Sequence, residues 1–404
     1  MVKPVKNHPH VAPPPRTLWR RISGLFRRDL TGMHQAELEQ TIQQVEDSRA
    51  DAIRSRDSDK AKLRQLQRSP LALEHRQLRK RWVVRVNQPM LLISQVQRAG
   101  GTLLSRLFDA HPECFAHPME LKWGRPRKWN WPSFNPDANL GDGAAFSLVD
   151  EMWVRKVIRS GGYYKYAQWT QTHKSTPLRR QPFVFDRELE FELFADMYAS
   201  RRVGHRRDVL DAYLTALFNA WLDYQNLYAT PKRWVTCFVP RLVMHPDSLE
   251  RYFADYPDGM LITIVRHPGS WFASASRHTF SADPVEALQH WIDSTRASLA
   301  AADRYGERVT VILFEDLVLH TEATMRAICA RVGLTFAPIL QRPTYNSMPV
   351  LSNSSFHLTT EIDSAVTQRK TATLTPEQRD VIERLALGHY NDVAARFGLN
   401  VLRP

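Results

Sequence analysis

From residue 89 onward, short continuous apolar runs alternate with longer stretches in which apolar side chains recur every three or four positions. The runs "PMLLISQV" (89–96), "WVTCFV" (234–239), "MLITIV" (260–265) and "VTVILF" (309–314) predict strands buried on both faces. Helical spacing follows them in "TLLSRLFDAH" (closed by His111 and Pro112), over 270–280 and 284–303, and in "TEATMRAICARVGL", where Thr321 is the expected cap. A last helix is predicted over 376–398, with Thr375 as its cap, Pro376 at its first position and Gly398 at its end. Strands alternating with helices predict an α/β fold, a parallel sheet flanked by helices on both faces.

Two regions break that rhythm. Residues 121–230 read as a mostly helical insertion rich in aromatic side chains, among them Trp123, Trp129, Trp131, Trp153, Tyr163 and Tyr164. These stack on sugars, line an acceptor pocket or simply fill a core. Residues 1–88 read as an extension, with 89–404 as the main domain. The extension begins with a Pro- and His-rich stretch over 1–15, where disorder is expected. Next comes "TLWRRISGLFRR" (17–28), with Leu18, Trp19, Ile22, Leu25 and Phe26 on one helical side. Such a helix suits an anionic membrane surface, its own domain or a second copy of the chain as in a homodimer. Residues 34–80 begin heptad-like and then lapse, which fits a helical hairpin or short coiled coil.

Charge sharpens this division. Residues 1–88 hold 19 Lys and Arg against 9 Asp and Glu, a net +10 of the chain's +13. The high pI therefore belongs to the extension, and with no reader motif or interleaved aromatics, nucleic acid is not the expected partner. Cys114, Cys237 and Cys329 are scattered without metal-ligand spacing, and no apolar stretch approaches a membrane span. A cytoplasmic protein is expected, membrane-peripheral where the 17–28 helix meets a bilayer.

The candidate chemistry lies where the first run ends. In "QVQRAGGTLLSRLFDAHPE" a strand enters a two-glycine turn that opens a helix. The N–H groups of Ala99, Gly100, Gly101 and Thr102, the Thr102 hydroxyl and the Arg98 fork are placed to hold a phosphate. An ordinary strand–helix loop is the alternative for this stretch alone. A second run leads into "IVRHPGSWFASASRH", with Arg266 at the strand tip and Ser274 about two turns into the next helix. Anion sites at the tips of two strands of one sheet suggest a ligand with two separate phosphates.

These two motifs resemble those of the sulfotransferases that use 3′-phosphoadenosine-5′-phosphosulfate (PAPS), most nearly the tyrosylprotein and bacterial branch. The first is similar to their 5′-phosphosulfate loop and the second to their 3′-phosphate motif. "VILFEDL" and "QRKTATLTPEQ" resemble the family's C-terminal half. The resemblance covers about 89–120 and 234–395. It implies a P-loop-like fold and in-line transfer of a sulfuryl group from PAPS to a hydroxyl, leaving adenosine 3′,5′-bisphosphate (PAP), with no metal. It also implies that Arg369 and Lys370 form a basic loop over the 3′-phosphate. A base for the acceptor hydroxyl is expected in "AHPMELKW", where His117 and Glu120 are the candidates; the resemblance favours Glu120. A basic neighbour such as Arg125 or Lys128 would give Glu120 a merely structural pairing. Gly101 departs from the threonine that many family members carry, and no Trp follows Thr102, which leaves the adenine contact unassigned.

A nucleotide-dependent kinase is the rival enzyme, because "VILFEDL" mimics a metal-binding strand end. The missing Gly-Lys-Ser/Thr argues against it, and Glu315 and Asp316 are expected to cap the helix that follows. A non-catalytic protein that binds membranes or acidic partners through its basic arm is a further alternative. The acceptor is expected to be a hydroxyl-bearing small molecule, glycan or glycolipid. Asn353, Ser354 and Ser355 form a sequon that is expected to be incidental.

Overall fold

The computed structural model describes residues 70–123, 129–151, 154, 163–165, 180–277, 280–350 and 360–399. The expectations for 1–69, including the 17–28 helix, lie outside these residues, as do Arg125, Lys128, Trp153 and the sequon. The chain divides into two compact units, Met1–His75 and Arg76–Pro404, and the second carries the sheet.

A helix, α1 (Pro70–Arg81), leads into β1 (Met90–Ile93), α2 (Gly101–Phe108), β2 (Cys114–Glu120) and α3 (Asp142–Val149). A small antiparallel pair, β3 (Tyr163–Lys165) and β4 (Arg180–Pro182), precedes α4 (Arg187–Ala199) and α5 (Arg206–Ala220). Then β5 (Trp234–Phe238), α6 (Pro246–Asp255), β6 (Met260–Val265), α7 (Pro268–Ala275), α8 (Pro284–Tyr305) and β7 (Val309–Leu313) complete the alternation. After α9 (Phe314–Leu319) and α10 (Thr321–Val332), a two-residue pair, β8 (Thr344–Tyr345) and β9 (Met348–Pro349), leads to α11 (Val366–Thr371). A π-helical turn over Glu383–Leu387 joins α12 (Pro376–Ile382) to α13 (Gly388–Phe397). The helix expected over 376–398 is thus one rod, with Thr375 and Gln378 forming a capping box.

The five-stranded sheet has the order β2-β5-β1-β6-β7, with every pair parallel. β1 is central, and its alternating side chains feed two cores. Leu91 and Ile93 join Leu104, Leu107, Phe108, Met325 and Ile328, while Met90 and Leu92 join the larger cluster with Trp221, Tyr252 and Leu288. Burial on both faces is why the strands read as unbroken apolar runs.

Two expectations are corrected, and one strand was not among the sequence expectations. That strand is β2, which contains Pro118. It is an edge strand, where a residue without an N–H is tolerated, and its register shifts between Ala116 and Glu120. Thr321 is not the cap of α10: His320 occupies that position, and the Thr321 hydroxyl turns back to the Leu317 carbonyl. Glu315 and Asp316 cap nothing. α9 begins at Leu313 without a side-chain cap, and the two carboxylates reach distant segments instead.

The approach to β1 is fixed by Asn219 of α5, which is fully buried. Its amide accepts from Val84 N–H at 3.0 Å and donates to the carbonyls of Val84 and Thr215 at 2.8 and 2.7 Å. Asn219→Ala is expected to lower the urea midpoint by the equivalent of about 2 kcal/mol, with the m-value unchanged.

Candidate functional site

The segment after β1 is gripped from several sides. Ser94 N–H donates to the Ile262 carbonyl at 3.0 Å, and Arg241 N–H donates to the Gln95 carbonyl at 2.9 Å. Val96 N–H meets the Ser294 hydroxyl at 2.9 Å, and the Trp271 indole meets the Gln97 carbonyl at 2.8 Å. The turn so held takes Arg98 to φ 69° and Gly100 to φ 115°. At Gly100 a side chain is barred twice, by φ and because a Cβ would lie 2.4 Å from the Phe314 ring. At Gly101 a Cβ would lie 1.9 Å from the Gln95 amide and 2.5 Å from the Phe238 ring. A threonine in place of Gly101 has no room here, since Gln95 and Phe238 fill that space. The first N–H groups of α2, after Ala99 and up to Thr102, have no intrahelical acceptor and open toward the strand ends.

The second motif meets the first. Arg266, 3% exposed at the tip of β6, donates from Nε to the Ser270 hydroxyl at 2.6 Å and from Nη1 to the Arg98 carbonyl at 2.9 Å. Its Nη2 is buried without a hydrogen-bond partner among the described residues, and its guanidinium lies 4.1 Å from the Phe314 ring centre. Arg98 Nε donates to the Ser274 hydroxyl at 3.2 Å. Sequence-distant Arg98, Arg266 and Ser274 therefore share one cleft at the carboxyl ends of β1 and β6, where open parallel sheets bind ligands.

Lys370 of α11 joins them from 4% exposure. Burial, and then the charges of Arg266, Arg98 and Arg277, push its ammonium down to about 6. Burial likewise brings Arg266 down to about 10, opposed by Glu315. Arg369, expected beside Lys370, turns outward to pair with Asp363. Arg277 escaped the sequence reading, although it lies one helical turn beyond Ser274 and so on the same side of the chain.

Glu315 anchors this cleft. It accepts from His267 N–H at 3.1 Å, the Thr367 hydroxyl at 3.2 Å and the Tyr390 hydroxyl at 3.1 Å. Asp316 accepts from Leu399 N–H at 2.8 Å. Both carboxylates are committed to tying elements together. Among the described residues no group of three or more His, Cys, Asp or Glu is placed to hold a metal.

The base candidates part company. His117 is fully engaged inside the protein: one ring nitrogen lies 2.7 Å from the Met119 carbonyl and the other 2.7 Å from Glu151, with both side chains at 0% exposure. Glu120 ends β2 opposite Phe238, is about a third exposed, and pairs with Lys122 at 2.7 Å. The aromatics of the middle region whose side chains are described are largely core. Trp123 and Trp131 are buried, and Trp131 packs edge-on against Tyr252 and donates to Asp255 at 2.7 Å. Trp129 is half-buried beside Arg241, an arginine that the sequence reading also missed. Its signal was the pattern already seen at Arg98 and Arg266, an arginine just past a buried strand.

These features define a class: a parallel α/β protein with a cationic cleft across the carboxyl ends of its central strands. Residues 161–338 match the sulfotransferase family. The matched stretch contains Arg266 and Ser274. It also takes in residues 161–230, about two thirds of the middle region that the motifs had left outside the resemblance, and it stops short of the β1–α2 turn and Lys370. Solved structures are similar at lower identity. The sulfotransferase domain of the curacin biosynthetic pathway shares 18% identity, with a TM-score of 0.41, over 74% of this chain and 98% of its own. The sulfotransferase domain of the Synechococcus PCC 7002 olefin synthase shares 17%, with a TM-score of 0.46, over 75% and 96%. No curated protein matches the chain. Among the described residues no helix is long and apolar enough to cross a membrane.

The Lys370 ammonium makes a prediction with a definite sign. An unfolded lysine titrates near ~10.4, so between about 6 and that value the unfolded chain binds the extra proton and burying Lys370 is costly. The cost is full at and below pH ~6 and fades as the pH approaches ~10. Lys370→Met is expected to raise Tm most near pH 6, with the gain shrinking toward pH 10. A gain of constant size across that range would mean that the ammonium is not repelled in the folded protein.

Proposed function

We propose that the chain is a PAPS-dependent sulfotransferase acting on a hydroxyl acceptor. The observation that carries this reading is the meeting of Arg98, Arg266, Lys370 and Arg277 at one cleft, with Arg266 and Lys370 buried and Arg266 Nη2 without a hydrogen-bond partner among the described residues. An anion is favoured at such a gathering of cations. A donor with phosphates at both ends fits the orphan Nη2 of Arg266, the Ser274 hydroxyl and the open N–H groups of α2. The donor supplies the sulfuryl group, and its S–O bond to phosphate breaks as the acceptor oxygen bonds to sulfur.

The chain's own residues do the rest. Arg98 and the α2 turn hold the 5′-phosphate and offset the charge that grows on it. Arg266, Ser274 and Lys370 hold the 3′-phosphate, and Arg369 stays at the rim with Asp363. Glu120 takes the proton of the acceptor hydroxyl. It ends its strand near the cleft with its carboxylate partly open, whereas His117 is locked against Glu151. A glycan or glycolipid hydroxyl remains the favoured acceptor type, with a small alcohol or phenol next. The arm over 17–28 is a candidate for peripheral membrane contact or for pairing with a second copy.

Calorimetric titration with PAP beside ATP and Mg²⁺ tests the donor. PAP is expected to bind, with affinity falling about 10- to 100-fold in Arg266→Ala as a charge-assisted contact is lost. Binding of ATP with Mg²⁺ alone would overturn the reading in favour of a kinase. Glu120→Gln is expected to lower kcat by about 10²–10⁴-fold while leaving PAP affinity intact; near-full turnover would remove Glu120 from the mechanism.

A further inference from the structure

Arg241 lies three residues past β5, at the carboxyl edge of the sheet, with its backbone in the left-handed region at φ 63°. A non-glycine residue there carries strain that the surrounding contacts must hold. Its N–H donates to the Gln95 carbonyl, and its Nε donates to the side-chain oxygen of Gln97. Its guanidinium stands 4.7 Å from the Trp129 ring centre and 5.1 Å from that of Phe280. Trp129 is itself at φ 71°. Among the described residues no carboxylate pairs with Arg241, and its two terminal nitrogens have no hydrogen-bond partner. The half-buried fork thus keeps its bidentate edge unused between two aromatic rings.

Strand order says which part of the reaction this cation serves. The residues assigned to the 3′-phosphate, Arg266, Ser274 and Lys370, follow β6 or pack beside it. Arg241 and Glu120 belong to β5 and β2, on the other side of β1, with Glu120 in register with Phe238. The loop carrying Arg98 lies between the two groups. We infer that the acceptor carries, besides its hydroxyl, an acid group (carboxylate, sulfate or phosphate ester) that the terminal nitrogens of Arg241 bind. The Trp129 and Phe280 rings then flank the carbon skeleton next to that group. This inference rests on the sulfotransfer reading above, and makes Arg241 a specificity-determining residue at the acceptor end of the same site.

The test titrates the full chain, saturated with PAP, with paired probes: 4-hydroxybenzoate, methyl β-D-glucuronide and 3-hydroxydecanoate, each beside its methyl ester. At least one acid is expected to bind about tenfold or more tightly than its ester, as one charge-assisted bidentate contact allows. Arg241→Gln is expected to erase that preference and Arg241→Lys to keep part of it, with PAP affinity unchanged in both. Three results would overturn the inference. No acid outranks its ester; the preference survives in Arg241→Gln; or Arg241→Gln loses PAP affinity along with it, which would move the residue to the donor. Failure of the wild-type chain to bind PAP strikes the donor reading instead, and the acid–ester comparison without PAP then judges Arg241 by itself.

Discussion

The bond from Arg266 Nη1 to the backbone carbonyl of Arg98, at 2.9 Å, is the tie on which the cleft depends. It joins the tips of neighbouring strands β1 and β6 through a residue held at positive φ, a conformation that costs about 1–2 kcal/mol. With the backbone so fixed, the Arg98 side chain reaches Ser274 on the helix after β6. The same bond buries a guanidinium almost completely, so a compensating charge has to stand close. Glu315 supplies it from the start of α9 and simultaneously accepts from His267 of the β6–α7 turn, Thr367 of α11 and Tyr390 of α13. One carboxylate therefore offsets charge and also sets where α11, and with it Lys370, comes to rest.

Positive charge still meets positive charge in the cleft. Arg266 and Lys370 are both buried, and the charges of Arg266, Arg98 and Arg277 add to burial in pushing the Lys370 ammonium down. On the other side of β1, polar groups are paired more fully. His117 and Glu151 form a closed buried pair, and Arg187 pairs with Asp150 and Glu190, whose carboxyl burial pushes up to about 8. These contacts pack the described part of the middle region against β2 and β5, where Trp123, Trp131 and Trp221 serve as core and Trp129 is half-buried beside Arg241.

Much of this was legible in the sequence because it is decided locally. Unbroken apolar runs marked β5, β1, β6 and the edge strand β7, since a strand covered on both faces has no polar side to display. The glycine pair and the arginines past two strand ends marked the cleft, because a tight turn and an anion-binding tip need those residue types at those places. The capping box at Thr375 was legible for the same reason. Edge strand β2 was not, because an edge tolerates Pro118 and so blurs the pattern.

Tertiary structure alone decided which of the chemical side chains meet. Arg369 and Lys370 are neighbours in sequence, yet one pairs outward with Asp363 and the other is buried among three arginines, a choice made by how α11 packs on α7. His117 and Glu120 sit three residues apart, yet Glu151, brought in from outside their strand, closes off the first and leaves the second partly open. Glu315 and Asp316 look like caps or metal ligands in isolation, and become ties because α11, α13 and the chain's last described residues fold back onto them. Sequence pattern determined the layers and the two-glycine turn after β1. Which charges end up together, and which are left without a partner, is a property of packing between distant segments, and no local pattern encodes it.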